Sequence, residues 1–187
     1  DINMRTLAVA KAEALSEEWR CTGCELRKAA TAVAKVTEPI AEPESNIGEP
    51  FQVWTHDWRA VILRPEPEIE LPATLLTSHT AERAPTLLHI DDAGRHRLLY
   101  KNGLLAAAIH FLKRDRQPYN LLTVDVRGWG DTQPAIYPYE MASWGGVDRY
   151  LAYASAALGD PVMAMRIRDA LSALAWLRQR PEVDPHR

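Results

Sequence analysis

The sequence predicts an α/β domain preceded by a helical arm, and three observations carry that expectation. Two continuous apolar runs, Thr86–Ile90 and Leu121–Val126, suit strands buried on both faces, the pattern of a parallel sheet covered by helices. Between them "GLLAAAIHFLKRD" reads as a helix, Gly103–Lys113, of the right length to cross from one parallel strand to the next. Ahead of them stand three shorter strand candidates. The order is strand, strand, strand, then strand–helix–strand–helix.

Residues 1–36 are rich in Ala, Glu, Lys and Arg and helical in character. Leu7, Val9, Ala10, Ala14 and Leu15 give one apolar face. Gly23 breaks the run and "CELRKAATAVAKV" resumes it. Residues 37–50, "TEPIAEPESNIGEP", hold three Pro and four Glu, the composition of a linker or surface loop. The arm and linker are placed at residues 1–47 and the α/β domain at residues 48–187. "FQVWTHDW" and "RAVILRP" are short, β-branched and aromatic, and read as strands. "EIELPATLLTS" is a third, with Pro72 pointing to an edge or an irregular start. "VDRYLAYASAAL" is helical. A last helix begins at "GDP", with Asp160 as its N-cap and Pro161 as its first residue. Its apolar stripe is Met163, Ile167, Ala170, Leu171, Leu174 and Leu177.

The 187 residues and 47% hydrophobic content suffice for one domain with an arm. A net charge of -3 leaves no electrostatic footprint for nucleic acid or an anionic membrane, so neither is expected as a partner. No apolar run reaches the ~18–20 residues of a membrane span. No basic-then-apolar leader opens the sequence, and its first residue is Asp rather than Met. The compartment stays open, with secretion and the periplasm included.

Cys21 and Cys24 form a C-x-x-C. Redox activity needs a preceding strand and a helix starting at the first Cys, whereas the residues before Cys21 look helical. Zinc needs two further ligands, and no second C-x-x-C or close His pair exists, so no metal and no cofactor is expected. A helix-end turn is the simplest reading; redox activity stands as the alternative.

Ligands of open α/β sheets bind at the carboxyl ends of the strands. That selects "HIDDAGRHR", His89 to Arg97, and "VDVRGWGDTQ", Val124 to Gln133. The second offers Gly128 and Gly130, but Gln133 occupies the place of the third glycine of a dinucleotide turn and Pro134 follows. Asp91 and Asp92 are neighbours that point to opposite sides along a strand, which argues against a paired acid/base unit. His89 within a strand suits a hydrogen-bonded core histidine. Arg95 and His96, just past Gly94, suit a pocket rim. Trp129 and Trp144 either line an apolar cleft or pack the loops.

A buried strand followed by Asp-x-Arg-Gly-x-Gly, here Asp125, Arg127, Gly128 and Gly130, resembles the turn after the fourth core strand of α/β-hydrolases. "PTLLHIDDAG" is similar to their third core strand and oxyanion loop, with Asp91-Asp92 where hydrolases often carry His-Gly. "RIRDALSALAWLRQRPEVDPHR" resembles the helix before the nucleophile strand, above all in acetyl-xylan-esterase-like and dienelactone-hydrolase-like members. The resemblance covers about residues 50–187.

The resemblance implies an N-terminal half of a hydrolase sheet and a serine esterase working by acyl transfer through a Ser–His–acid triad. Asp125 and Arg127 would hold the loop rather than react. The nucleophile motif G-x-S-x-G is not present; Ser143 in "MASWGG" has Met141 where the first glycine should be, and no apolar strand precedes it. The true elbow is expected past Arg187, on a second chain or a C-terminal segment, with a small-molecule or carbohydrate ester as substrate. What the chain itself would supply is one oxyanion donor, the backbone N–H of Asp92 or Ala93, a kind of group worth about 2.7–4 kcal/mol in the transition state. Gly94, Arg95, Trp129 and Trp144 would line the pocket. "DDAG" also fits a plain turn after a strand. The alternative function is a non-catalytic hydrolase-like subunit or interaction module.

Overall fold

The computed structural model describes residue 13 and residues 23–36, 39–53, 56–99, 118–134 and 146–186. Two compact units divide after Thr37. In the first, helix α1 spans Gly23–Val33. The apolar positions placed before it, from Leu7 to Leu15, and Cys21 lie outside the described residues.

The second unit, Glu38–Arg187, is built on a six-stranded sheet. Its strands are β1 (Glu44–Ile47), β2 (Phe51–Val53), β3 (His56–Glu66), β4 (Ile69–Ser78), β5 (Thr86–His89) and β6 (Asn120–Val124). The order across the sheet is β1-β3-β4-β6-β5, with β2 also on β3. The pairs are antiparallel up to β4·β6, and β5 runs parallel to β6. Helices α2 (Gly146–Ala157) and α3 (Val162–Arg178) follow. The crossover helix placed at Gly103–Lys113 lies outside the described residues. Among those residues no helix is long and apolar enough to cross a membrane.

Four local readings change. The linker composition of residues 37–50 hides a strand, since Glu44–Ile47 pairs with Arg64–Val61. All four β1 residues are exposed, so burial leaves no mark on their composition. Pro72 sits in a central strand instead of an edge. Its carbonyl accepts from Asp125 N–H (2.9 Å), one step beyond the last β4·β6 pair at Ala73↔Val124. A strand residue's N and C=O face the same neighbour, so the missing N–H falls where the ladder has already ended. Strand β5 is half-exposed rather than buried, with Leu87 50% exposed, because β6 flanks it on one side only among the described residues. Helix α3 begins at Val162. Pro161 is its N-cap, Asp160 pairs with Arg168 (2.6 and 3.1 Å), and Ser155 Oγ accepts the Val162 N–H (2.8 Å).

The core lies between α3 and one sheet face. Val61, Leu63, Leu71, Ala73, Leu75, Leu122 and Val124 meet Ala173, Trp176 and Leu177. The alternation of strand side chains puts Leu76 and Leu121 on the other face, against Trp58. The buried side of α3 matches the expected stripe only in part, since Leu177 is buried and Ala170, Leu171 and Leu174 are half-buried. Met163 and Ile167 are exposed, whereas Val162, Arg166, Asp169, Ala173 and Trp176 are buried at helical spacing. Two of these are charged, and hydropathy assigns charges outward; here each has a partner inside.

Candidate functional site

Parallel pairing from Thr86↔Asn120 to His89↔Thr123 brings the carboxyl ends of β5 and β6 side by side. The loops that follow meet on one side chain. Asp125 is fully buried. Its Oδ1 accepts the Arg95 N–H (2.6 Å), its Oδ2 accepts the Asp131 N–H (3.0 Å), and the Arg95 guanidinium pairs with Oδ2. A second Arg95 nitrogen reaches Asp131 Oδ2 (2.7 Å), which also lies 3.3 Å from His96 Nε2. The hydrogen bond from Arg95, reinforced by His96, holds the Asp131 carboxyl below its ordinary pKa.

Two glycines permit this approach. Gly94 (φ +88°) and Gly130 (φ +58°) adopt left-handed backbone, which favours glycine. A Cβ on Gly94 would stand 2.6 Å from the Gly130 Cα, and one on Gly130 would run into the Asp125 carboxylate. Gly130 therefore records a close backbone approach between the loops, whereas Gly128 makes room for the Arg166 and Leu151 side chains.

Beneath the loops lies a second ionic layer. Asp169, fully buried on α3, accepts the Arg127 N–H (3.0 Å) and two guanidinium bonds from Nε and Nη2 (3.0 and 2.5 Å), and Glu66 takes the other face (2.8 and 3.3 Å). Burial opposes the Arg127 charge, but these carboxylates outweigh it and raise its pKa; the Arg127 bond in turn lowers that of Glu66. Arg166, also buried, donates to the Arg127 carbonyl (2.9 Å), stacks 4.3 Å over the Trp129 ring and pairs with Asp148. That pairing holds Asp148 below its ordinary range. Trp129 Nε1 adds a bond to Asp148 (3.3 Å). Asp125 and Arg127 are thus occupied in holding loops. Sequence reasoning missed Glu66, Asp148, Arg166 and Asp169, which lie on three separate elements and carry no local signal that joins them.

The expected site residues separate. Ala93 N–H is engaged by Asp91 Oδ1 (2.9 Å), an aspartate side chain bonding the backbone two residues on, and that bond is the main reason the Asp91 pKa is lowered. Among the described residues no acceptor takes the Asp92 N–H. Gly94 is buried between the loops, and the Arg95 side chain is 14% exposed and tied to two carboxylates, so both act here as loop ties. Trp129 is partly buried under Arg166; Trp144 and Ser143 lie outside the described residues. His89 Nδ1 lies 3.4 Å from Thr123 Oγ1, and burial lowers its pKa. A groove of about 670 Å³ opens beside Arg64, Glu70, Pro72, Arg127, Asp131 and Thr132; Gly94 and Arg95 do not line it, although Arg95 bonds Asp131 at its wall. No cluster of three metal-ligating side chains occurs among the described residues.

Solved structures share this fold. A protein of Bacteroides fragilis assigned as an acetyl xylan esterase matches 86% of this chain with a TM-score of 0.64 at 18% identity. The fold is that of part of an α/β-hydrolase. Acetyl xylan esterases of Thermoanaerobacterium and Paenibacillus match the same hydrolase-like region, over 84% of this chain in each case, with TM-scores of 0.51 and 0.52 at 13% and 20% identity. The chain spans less than half of these proteins: 43%, 47% and 46% of their lengths. No protein-family model and no curated protein matches the sequence.

Proposed function

We propose that this chain is the N-terminal portion of a serine carboxylic-ester hydrolase whose nucleophile and triad come from a further segment or a second chain. One observation carries the reading. The chain leaving α3 turns back along the sheet, and Val183 pairs in parallel with Ala84, just ahead of β5. Ala84 N–H donates to the Glu182 carbonyl and Asp184 N–H to the Ala84 carbonyl, both at 3.0 Å. On this reading, a strand along the outer edge of β5 would continue from that isolated bridge. A strand continued from there reaches the carboxyl end beside the Asp92 N–H, and a serine elbow at its tip would face that donor.

The chemistry follows from those positions. A serine Oγ, its proton taken by a histidine held by an acid, adds to the ester carbonyl. The carbonyl oxygen becomes an oxyanion, bound by the Asp92 N–H and the N–H after the nucleophile. Collapse expels the alcohol, which takes the histidine's proton, and water then releases the acid. Acetylated carbohydrate is the first substrate class to test, because the solved neighbours include acetyl xylan esterases.

The test is fluorophosphonate labelling and p-nitrophenyl acetate hydrolysis by the native assembly, with intact mass to identify each polypeptide. Label on a G-x-S-x-G segment travelling with this chain supports the reading. Ester hydrolysis by the 187-residue chain alone overturns the divided site. An assembly that neither labels nor hydrolyses leaves the non-catalytic interaction module in its place.

A further inference from the structure

Opposite the ionic end of the sheet, one neutral side chain joins three segments. Asn120, the first residue of β6, is 1% exposed. Its Oδ1 accepts the N–H of Ser78, the last residue of β4, at 3.0 Å. Its Nδ2 donates to Thr86 Oγ1 at the start of β5 (3.3 Å) and to the Glu182 carbonyl behind α3 (2.8 Å), with the Ala84 carbonyl at 3.5 Å. Its own backbone N–H donates to the Pro85 carbonyl (2.8 Å). Both ends of the carboxamide are therefore in use.

The Val183 segment needs such a contact. It is held to Ala84 by a single bridge, and one rung fixes a register poorly. A slip by one residue would turn Val183, 5% exposed and part of the core, toward the other face. A slip by two keeps the face, so burial alone does not forbid it, although Pro181 or Pro185 would then stand opposite Ala84. The Asn120 amide reads the register directly, because only one carbonyl of the returning chain, that of Glu182, meets its N–H. Glu182 O accepts from Ala84 and from Asn120 together, which ties the rung to β6 as well as to the start of β5.

We infer that Asn120 sets the register of the strand that follows α3. On the hydrolase reading, on which this second step rests, Asn120 is also a positioning residue for the nucleophile, acting from the opposite end of the parallel strands. A one-residue slip moves a strand by roughly 3.3 Å and reverses its faces. A misplacement of about 1 Å already costs on the order of 100-fold in rate.

The test uses Asn120→Asp, which keeps the acceptor and loses the donor, and Asn120→Ser, which adds no charge and falls short of Glu182. Amide exchange is read by NMR on the 187-residue chain. Loss of the contact should speed exchange at the Ala84 and Asp184 N–H by about tenfold, with the β3·β4 ladder unchanged. Wild-type rates at both amides in a folded variant overturn the inference. So does an Asn120 carboxamide in the unmodified chain that exchanges at the free-amide rate, a measurement independent of whether either variant folds. In the native assembly the same variants should lower kcat for p-nitrophenyl acetate by roughly 100-fold with KM within about twofold. Faster exchange in the variants of an assembly whose wild type takes no fluorophosphonate keeps the register role and removes the hydrolase reading.

Discussion

Strand β6 is held at both ends by one buried side chain, and the two ends use opposite chemistry. At its start the neutral Asn120 joins β4, β5 and the chain behind α3. Just past its end the Asp125 side chain joins the loops after β5 and β6 through two backbone N–H groups and Arg95. Asn120 gathers three segments distant in sequence, whereas Asp125 gathers the loop at Arg95 and its own loop at Asp131. A carboxamide donates and accepts and so can orient a strand edge at little electrostatic risk. A buried carboxylate holds more tightly but must keep its cation, since removing one member of a buried pair leaves the other uncompensated. The comparison teaches that the loop end is strong and charge-dependent, while the opposite end is weaker and specific.

The difference is sharpest under truncation. Asp125→Ala should destabilise the chain by about 3–5 kcal/mol in urea unfolding, whereas Asn120→Ser should cost about 1–3 kcal/mol. Equal losses at both ends would erase the distinction. Gly130→Ala comes next: the left-handed backbone alone adds about 1–3 kcal/mol of strain, and the methyl meets the Asp125 carboxylate. Exchange of the Arg95 and Asp131 amides should accelerate in that variant, with Ala84 unaffected.

Acid should then separate the ends. Asp131, Asp148, Asp91 and Glu66 have lowered pKa values in the fold. The unfolded chain therefore binds more protons as pH falls, so their contribution is whole above the ordinary carboxylate range and is lost as pH drops below it through their lower folded values. His89, lowered by burial, acts in the same direction below its ordinary 6.5. The Tm should fall with pH along the same slope in wild type and Asn120→Ser; a steeper slope in the variant would mean the neutral end is coupled to the ionic one. The smallest effect is expected at Arg64→Ala. Its pairing with Glu70 is exposed, and its loss should shift stability by no more than about 1 kcal/mol.

Much of the fold is legible in the sequence, because the parallel strands and the last helix are written in apolar residues. Leu121 to Val124 are buried to the last residue, and their run has no polar interruption except Thr123. Strand β1 escapes, since its four residues are exposed and are held by backbone bonds that any composition supplies. The site is legible at its glycines and at Asp125. It is not legible at Arg166 and Asp169, whose burial depends on partners 39 and 42 residues away. Pairing across such distances leaves no local pattern. Ala93 is a different case, because the aspartate two residues before it takes its N–H through a purely local bond.

Strand order has a consequence in time. Strand β6 lies between β4 and β5, yet it is made after both. While a ribosome adds the roughly 40 residues between Ser78 and Asn120, at about 5–20 residues per second, the inner edge of β4 waits some 2–8 s for its neighbour. That edge carries "ATLL", which is apolar and unpaired until Leu121 and Leu122 arrive opposite Leu76 and Leu75. The nascent chain is exposed to mispairing at this edge in that interval, and β5 waits for the same neighbour.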